Sequence, residues 1–350
     1  MNKFITVNII PTGIGANIGG FAGDANPVNT LLEEISDVVI THPNAVNAAS
    51  LYPATKKTLY VEGFALEKFI EGSWGLKTVN SNKIGIIIDK KTENNLTAII
   101  NAINATRTVF GANIIGYTIT EEEIGAKVIK NQDKNASIPY DGIIKNQQTI
   151  FNAAEKLIKN GAEAIAIFAY LENPYEDDDE DYLSGVGADP IGRLEAKISH
   201  LIVEKYKIPS AHAPIIDDYE RKISDPRVSA EEIGFTYIPC VIKGLQFAPK
   251  IVDIQKDNFF SYTNKDISCV LAPYSALKHK WVEDCIKNKI PIIAIKENTT
   301  VLNNTPEILN ITEEIISADN YLESIGIITS IKAGIDYRSV RRPINQINII

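Results

Sequence analysis

The chain passes from an apolar run into a predicted helix through the stretch Ile9-Ile10-Pro11-Thr12-Gly13-Ile14-Gly15-Ala16-Asn17-Ile18-Gly19-Gly20-Phe21-Ala22-Gly23-Asp24-Ala25-Asn26-Pro27. Five of the eleven residues from Gly13 to Gly23 are glycines. A loop of this kind exposes backbone N–H groups and lets a ligand approach the main chain closely, because few side chains intervene. The stretch therefore predicts one wall of a ligand site at the end of a first strand.

Segments typical of strands and helices alternate along most of the chain. Phe4 to Ile10 is mostly apolar or β-branched, which predicts a strand buried on both faces. Further strands are predicted over residues 37–41, 58–61, 83–89, 112–118, 164–169, 209–214, 235–242, 268–272, 290–295 and 325–331. Because this alternation is typical of βαβ units, we expect an α/β fold with a mostly parallel sheet flanked by helices in Rossmann-like layers.

The segment from Glu121 to Pro139 interrupts the alternation with polar residues that follow no clear period. We therefore expect an N-terminal α/β lobe over residues 1–120, an excursion or flap over residues 121–140, and a C-terminal α/β lobe over residues 141–350 with a cleft between the lobes. A single domain is the alternative, since 350 residues suit one large or two medium domains.

Composition narrows the class of partner. The net charge of −9 argues against nucleic acid and against an acidic membrane surface, because both favour a basic patch. The start of the chain lacks the pattern of a signal peptide, and no apolar run approaches the roughly 20 residues that span a bilayer. We expect a soluble cytoplasmic protein with a small-molecule ligand, and a homo-oligomer as the common default.

The glycine loop departs from two known phosphate-binding motifs. Gly13 and Gly15 fit the dinucleotide fingerprint, but Ile18 occupies the third glycine position, and Thr41-His42 replaces the acidic residue expected after the second strand. No Gly-Lys-Ser/Thr follows, which argues against a P-loop. We expect a loop for a small anion or polar ligand, with tight turns alone as the alternative. Asp24 and Asn26 would serve this loop or cap the helix that starts at Pro27, and capping is the simpler interpretation.

Two histidines lie at predicted strand ends, in Thr41-His42-Pro43-Asn44 and Ala211-His212-Ala213-Pro214. Ligands of open α/β sheets bind outside the carboxyl ends of the strands, so both imidazoles are candidates for acid/base chemistry. With Asp217, they could also form a His₂/carboxylate site for a divalent metal. A second glycine loop, Gly185 to Gly192, carries Asp189 and precedes a helix. The alternative is that each histidine is only hydrogen-bonded at a strand end.

The three cysteines, Cys240, Cys269 and Cys285, have no spacing that indicates disulfides or zinc. Cys240 lies near the end of the predicted strand 235–242 and could be a nucleophile activated by a histidine. A small core residue is the alternative for Cys240, and the other two cysteines are expected in the core.

Several of these motifs together resemble a known family. Ile10-Pro11-Thr12-Gly13-Ile14-Gly15-Ala16, Gly19 to Pro27, Thr41 to Asn44, Gly187 to Gly192 and Ala211 to Pro214 are similar to an uncharacterised family of bacteria and photosynthetic lineages, known as a conserved domain of unknown function. The resemblance covers most of the chain, and it implies no activity, substrate or catalytic residue.

The leading functional prediction is an enzyme of hydrolase, lyase or isomerase type that acts on a small anionic or polar metabolite. His42 and His212 would be acid/base groups or metal ligands, and Asp189 or Asp217 would orient them. The predicted ligand-binding residues are Thr12, Gly13, Gly15, Gly19, Gly20, Asp24, Asn44, Gly187 and Gly192. The alternatives are a non-catalytic binding or regulatory protein, and a thiol-dependent enzyme that uses Cys240.

Overall fold

Fourteen strands and nine helices are found in the described parts of the chain. The structure is a computed structural model, and it describes residues 3–21, 23–43, 45–47, 57–131, 138–175, 184–215, 237–344 and 346. The strands are β1 Ile5–Asn8, β2 Val38–Thr41, β3 Thr58–Tyr60, β4 Trp74–Lys77, β5 Ile84–Ile88, β6 Ile114–Ile119, β7 Ala126–Lys130, β8 Tyr140–Ile144, β9 Ala164–Glu172, β10 Ser210–Ile215, β11 Lys250–Asp253, β12 Ile267–Pro273, β13 Ile292–Ile295 and β14 Ile315–Ala318. The α-helices are α1 Asn26–Ile35, α2 Gly63–Glu71, α3 Leu96–Phe110, α4 Gln147–Lys159, α5 Gly192–Tyr206, α6 Ile238–Phe247, α7 Lys280–Lys287, α8 Pro306–Leu309 and α9 Tyr321–Lys332.

The first sheet is parallel throughout and has the order β14-β13-β12-β1-β2-β3. Strands β1, β2 and β3 come from the start of the chain, and β12, β13 and β14 come from its final third. Numbered 1 to 6 in chain order, these strands have the 3-2-1-4-5-6 order of the Rossmann fold. The strand order reverses between β1 and β12, which is where ligands of such sheets bind. The glycine loop leaves β1 at that point.

Helices cover both faces of the first sheet. Leu32 of α1 and Ile328 of α9 pack with Leu271 on one face. On the other face, Phe69 of α2 and Trp281 of α7 pack with Val7. Every residue of β1 is buried, as expected for a strand in the centre of a doubly wound sheet.

The second sheet is formed by residues between β3 and α6. Its order is β6-β5-β9-β7-β8, and β10 also pairs with β9. Strands β5, β6, β9 and β10 are parallel, whereas β7 and β8 form an antiparallel hairpin that joins β9 through Ala126 and Lys127. The predicted α/β class with a mostly parallel sheet is confirmed. The predicted division at residues 121–140 stays a prediction, and sheet membership groups residues 5–60 with 267–318, and 84–144 with 164–215.

Two predicted strands are helices. The strand predicted over 235–242 is wrong, because Ile238 to Phe247 is α6, whose buried Ile238, Val241, Ile242 and Leu245 follow helical spacing. Pro239 suits its first turn, where no intrahelical N–H is needed. The strand predicted over 325–331 is also wrong. That segment lies in α9, where Asn320 accepts a hydrogen bond from the amide of Glu323 and caps the helix.

Asn26 does not cap α1. Its side chain instead accepts a hydrogen bond from the Asn47 amide at 2.9 Å and donates to the Asn47 carbonyl at 3.3 Å. The loops that follow β1 and β2 are therefore tied together behind the glycines.

Candidate functional site

A cavity lies between the carboxyl ends of β1, β2 and β3 and the elements α5, β10 and α6. Its empty volume, which includes space open to solvent, is about 800 Å³. The described residues that line it are Pro11, Thr12, Gly13, Gly19, Gly20, Pro43, Val46, Asn47, Tyr60, Asp189, Ile191, Glu195, His212, Pro214, Tyr237, Cys240 and Val241. Elements of both sheets therefore build one site, and in the first sheet it lies at the carboxyl ends of β1, β2 and β3.

The two glycine loops touch each other beside this cavity. A β-carbon placed on Gly15 would lie 2.5 Å from the carbonyl oxygen of Gly187. A β-carbon on Gly192 would lie 3.1 Å from Cγ2 of Thr12, and 2.8 Å from Oδ2 of Asp189. Glycine is needed at position 15 because a backbone atom of the second loop approaches it more closely than a side chain permits. The ligand-binding role predicted for Gly15, Gly187 and Gly192 stays a prediction.

Part of the first glycine loop is fixed by the segment after β13. The amide of Asn17 donates to the carbonyl of Thr299 at 2.9 Å. The buried side chain of Asn298 accepts from the Ile18 amide and donates to the Ile18 carbonyl, both at 2.9 Å. Asp24 accepts from the Gly19 amide at 2.5 Å, so its carboxylate closes the loop and does not cap α1. These three amides are therefore already bonded within the protein.

Two other amides of the loop remain available to a ligand. Within the described parts of the chain, the amides of Gly13 and Gly20 donate to no protein acceptor, and both residues line the cavity. Gly13 has a φ of +71°, which is the left-handed region that favours glycine. Free backbone N–H groups at a cavity wall can donate to a ligand oxygen.

His212 lies in the cavity wall on β10, with a side chain that is only 8% exposed. The Ser199 hydroxyl lies 3.1 Å from the carbonyl of Ala196 and 3.0 Å from Nδ1 of His212, so it can donate to Ala196 and accept from Nδ1–H. With the proton on Nδ1, the lone pair lies on Nε2, which is 3.9 Å from Oε2 of Glu195. Burial, with a smaller contribution from the charge of His200, lowers the pKa of His212 to about 3. The imidazole is therefore neutral at pH 7.

His42 does not share this cavity. Its side chain is buried directly behind the loop, and its Nε2 accepts a hydrogen bond from the amide of Ile10 at 3.1 Å. Burial lowers the pKa of His42 to about 4. Its Nε2 lone pair is thus committed to the backbone, which places His42 in a structural position and leaves His212 as the histidine in the site.

The predicted carboxylates have different placements. Asp189 lines the cavity, and its Oδ1 accepts from the amide of Ile191 at 2.9 Å just before α5 begins. Asp217 and Asn44 lie outside the described residues. No group of three or more His, Cys, Asp or Glu side chains within the described ranges is arranged to hold a metal ion. The metal site predicted from His42, His212 and Asp217 stays a prediction. Nε2 of His42 is not available to it, because that atom accepts a hydrogen bond from the Ile10 amide.

Cys240 lies in the first turn of α6 and lines the cavity. Its half-buried thiol donates to Oδ1 of Asn47 at 3.0 Å. The strand predicted at Cys240 is wrong, but the residue lines the cavity from the helix that replaces it. In contrast, Cys269 and Cys285 are buried, and burial raises the pKa of each thiol to about 12.

The sequence interpretation missed Glu195, Ser199 and Asn47. Glu195 and Ser199 are one turn apart on α5, and the residues directly before them, Leu194 and Ile198, belong to the core. A polar pair at spacing i, i+4 directly after a glycine loop was the available signal. It could not be connected to His212 without knowing that α5 packs on β10.

Tyr60 forms another wall of the cavity and packs flat against α6. A β-carbon on Gly244 would lie 2.4 Å from Cε1 of the buried Tyr60 ring. We expect Gly244→Ala to lower the free energy of unfolding by about 1–3 kcal/mol, because the ring or the helix must move. Urea denaturation would measure the change.

Gly326→Ala is the matched control for that substitution. Gly326 also lies inside a helix, but a β-carbon there meets no atom within 4 Å. Alanine should therefore stabilise the protein by about 0.5–1 kcal/mol at this position, through its higher helix propensity. Equal effects at Gly244 and Gly326 would contradict the contact with Tyr60.

The fold and the cavity define an α/β protein of Rossmann strand order with a polar site at the carboxyl ends of its strands. The chain belongs to the family described as protein of unknown function (DUF3326), whose profile matches residues 5–341. It is 35% identical over 334 residues to a protein named uncharacterized lipoprotein from Synechococcus sp. (strain ATCC 27144 / PCC 6301 / SAUG 1402/1), with 95% of this chain and 91% of the relative covered. The predicted resemblance is confirmed. No solved structure matches the chain. Of the helices in the described ranges, none has the length and apolar character needed to cross a membrane.

Proposed function

We propose that this protein is an enzyme that acts on a small polar metabolite in the cavity between the glycine loops, with His212 as the general base. The observation that carries the proposal is the unpaired Nε2 of His212, a neutral and oriented base 3.9 Å from the Glu195 carboxylate. A base held by a second group, inside a concave and largely buried site, is the arrangement that proton-transfer catalysis requires.

The other walls of the cavity suit a ligand with both donors and acceptors of hydrogen bonds. Gly13 and Gly20 offer amides to a ligand oxygen, and Asp189 and Glu195 can accept from a ligand hydroxyl or amine. Backbone amides of this kind stabilise an oxygen that gains negative charge when a proton is removed or a nucleophile adds. Hydrolysis, elimination and isomerisation all include such a step.

A non-catalytic binding or regulatory protein is the second candidate, since the same loops and cavity would serve a ligand that is only held. We also propose a cytoplasmic location, without nucleic-acid or membrane partners, and self-association as the default. The name lipoprotein of the Synechococcus relative favours a membrane-anchored location instead. Fractionation of cells that express the tagged protein distinguishes the two locations.

A metabolite screen on the purified full chain tests the enzyme proposal. Ligands are first found by thermal stabilisation, and turnover of each is then followed by mass spectrometry. We expect His212→Gln to reduce turnover at least about 100-fold while thermal stabilisation by the ligand persists. His279→Gln is the control, because His279 is a partly exposed histidine of the same type outside the cavity. Full turnover in His212→Gln would exclude the base, and stabilisation without any turnover in the wild type would favour the binding protein.

A further inference from the structure

We infer that Cys240 is the nucleophile of this site and that the substrate is a small acyl compound, an ester, thioester or amide, whose acyl group is transferred to the thiol. This inference rests on the proposed role of His212. It narrows the reaction to acyl transfer because the cavity holds a thiol, a neutral base and free backbone amides together.

The position of Cys240 separates it from an ordinary core cysteine. The residue is the third of α6, a helix of ten residues, and such a position at a helix N-terminus favours a thiolate over a thiol. Its side chain is half-buried and borders the cavity, whereas Cys269 and Cys285 are enclosed in the core.

His212 is the independent observation that points to a reacting partner. Its side chain is more than nine-tenths buried and lines the same cavity. Its Nε2 carries a lone pair with no hydrogen-bond donor within reach in the described parts of the chain. A cysteine that is activated by a histidine requires this protonation state of the imidazole, since Nε2 must receive the thiol proton.

Asn47 can stabilise the sulfur in both of its protonation states. As described, the thiol donates to Oδ1 of Asn47 at 3.0 Å. An amide carries a donor as well as an acceptor, so rotation of the Asn47 amide by half a turn would present Nδ2–H to a thiolate. The Asn26 side chain fixes the backbone of Asn47 at both its amide and its carbonyl, which holds this group beside the sulfur.

The reaction can be written as two balanced steps. Nε2 of His212 takes the proton of Cys240, Sγ forms a bond to the carbonyl carbon, and the carbonyl electron pair moves to the oxygen, where the amides of Gly13 and Gly20 can donate to it. The pair then returns, the bond to the leaving group breaks, and the leaving group takes the proton from Nε2. Water next adds to the thioester, gives its proton to Nε2, and the sulfur leaves and recovers that proton.

Acylation by p-nitrophenyl acetate tests the inference on the full chain. We expect one acetyl group per chain, mapped to Cys240 by mass spectrometry of peptides, and no acetylation of this peptide in Cys240→Ala. Prior treatment of the wild type with iodoacetamide should block the same site. Cys285→Ala is the matched control and should be acylated at Cys240 as fast as the wild type, because Cys285 lies in the core. Cys240→Ser provides a variant of similar size if Cys240→Ala does not fold.

The outcomes separate this inference from the proposed function. His212→Gln should slow acylation of Cys240 about 100-fold, the lower range for loss of a general base. Acetylation that is spread over lysines and is equal in the wild type and Cys240→Ala would show that Cys240 is not the nucleophile. A loss of metabolite turnover in His212→Gln would then still support His212 as the base. Acylation of Cys240 at the same rate in His212→Gln would overturn the activation by His212.

Discussion

Replacing Gly15 with alanine is expected to lower the free energy of unfolding by about 2–4 kcal/mol and to abolish ligand binding. Gly15 has a φ of +58°, which an alanine adopts only at a cost of about 1–2 kcal/mol. The new β-carbon would also lie 2.5 Å from the Gly187 carbonyl oxygen and 3.0 Å from Cγ1 of Val301. The first of these atoms belongs to backbone, so one loop must move away from the other, and the cavity loses the alignment of its two walls.

Gly187→Ala is a matched control for this result. Gly187 also has a positive φ, +83°, but a β-carbon there meets no atom within 4 Å. Backbone strain alone should therefore destabilise this variant by about 1–2 kcal/mol, with ligand binding retained. Urea denaturation gives the stabilities, and thermal stabilisation by a ligand from the metabolite screen gives the binding. If the two variants are equally stable and both bind, the loop-to-loop contact does not matter for the site.

The meeting of the glycine loops could be predicted from the sequence because the rule behind it is general. Ligands of open α/β sheets bind at the carboxyl ends of the strands, and the first glycine loop follows β1, while His212 lies within β10. The sequence therefore predicted that Gly13, Gly20, Asp189 and His212 are neighbours of one cleft, and all four line the cavity. What could not be predicted is that their strands belong to two different sheets.

The two histidines were equivalent in the sequence but differ in the structure. His42 follows β2 and His212 lies within β10, and each precedes a proline within two residues. Whether an imidazole meets the cavity or a backbone amide depends on which loop packs behind it, and the Ile10 amide that binds His42 is 32 residues away in the chain. A contact of this kind is set by tertiary packing, and local patterns carry no information about it.

Helix α6 was mistaken for a strand because only the start of its pattern was considered. Ile238, Val241 and Ile242 within a short window fit a buried strand as well as a helix, and Leu245 resolves the ambiguity at i+7. The error matters for the site, since a helix brings Cys240 and Val241 to the cavity from one turn while Ile242 and Leu245 pack in the core. The same ambiguity affected α9, where isoleucines at positions 325, 327 and 328 resemble a strand.

The buried histidines should make the protein less stable as the pH falls from 7 to 5. The pKa of His42 is lowered to about 4 and that of His212 to about 3, from about 6.5 in the unfolded chain. Between these values the unfolded state binds more protons than the folded state, so stability is present above pH 6.5 and is lost as the pH decreases. Each histidine should remove about 1.4 kcal/mol per pH unit below 6.5, or about 2 kcal/mol at pH 5.

His200 acts in the opposite direction and must be separated from the other two. Burial tends to lower the pKa of His200, but the hydrogen bond to Glu62 and the charges of Glu62, Glu67 and Glu204 together outweigh this, and the pKa is raised. A raised pKa in the folded state adds stability below pH 6.5 that is lost as the pH rises through the folded pKa.

Urea denaturation at pH 7, 6 and 5 should therefore give a flatter pH dependence in His42→Gln and in His212→Gln, and a steeper one in His200→Gln. The wild type could prove equally stable at pH 7 and pH 5, and His200→Gln could show the same pH dependence as the wild type. The imidazoles of His42 and His212 would then be protonated as readily in the folded protein as in water.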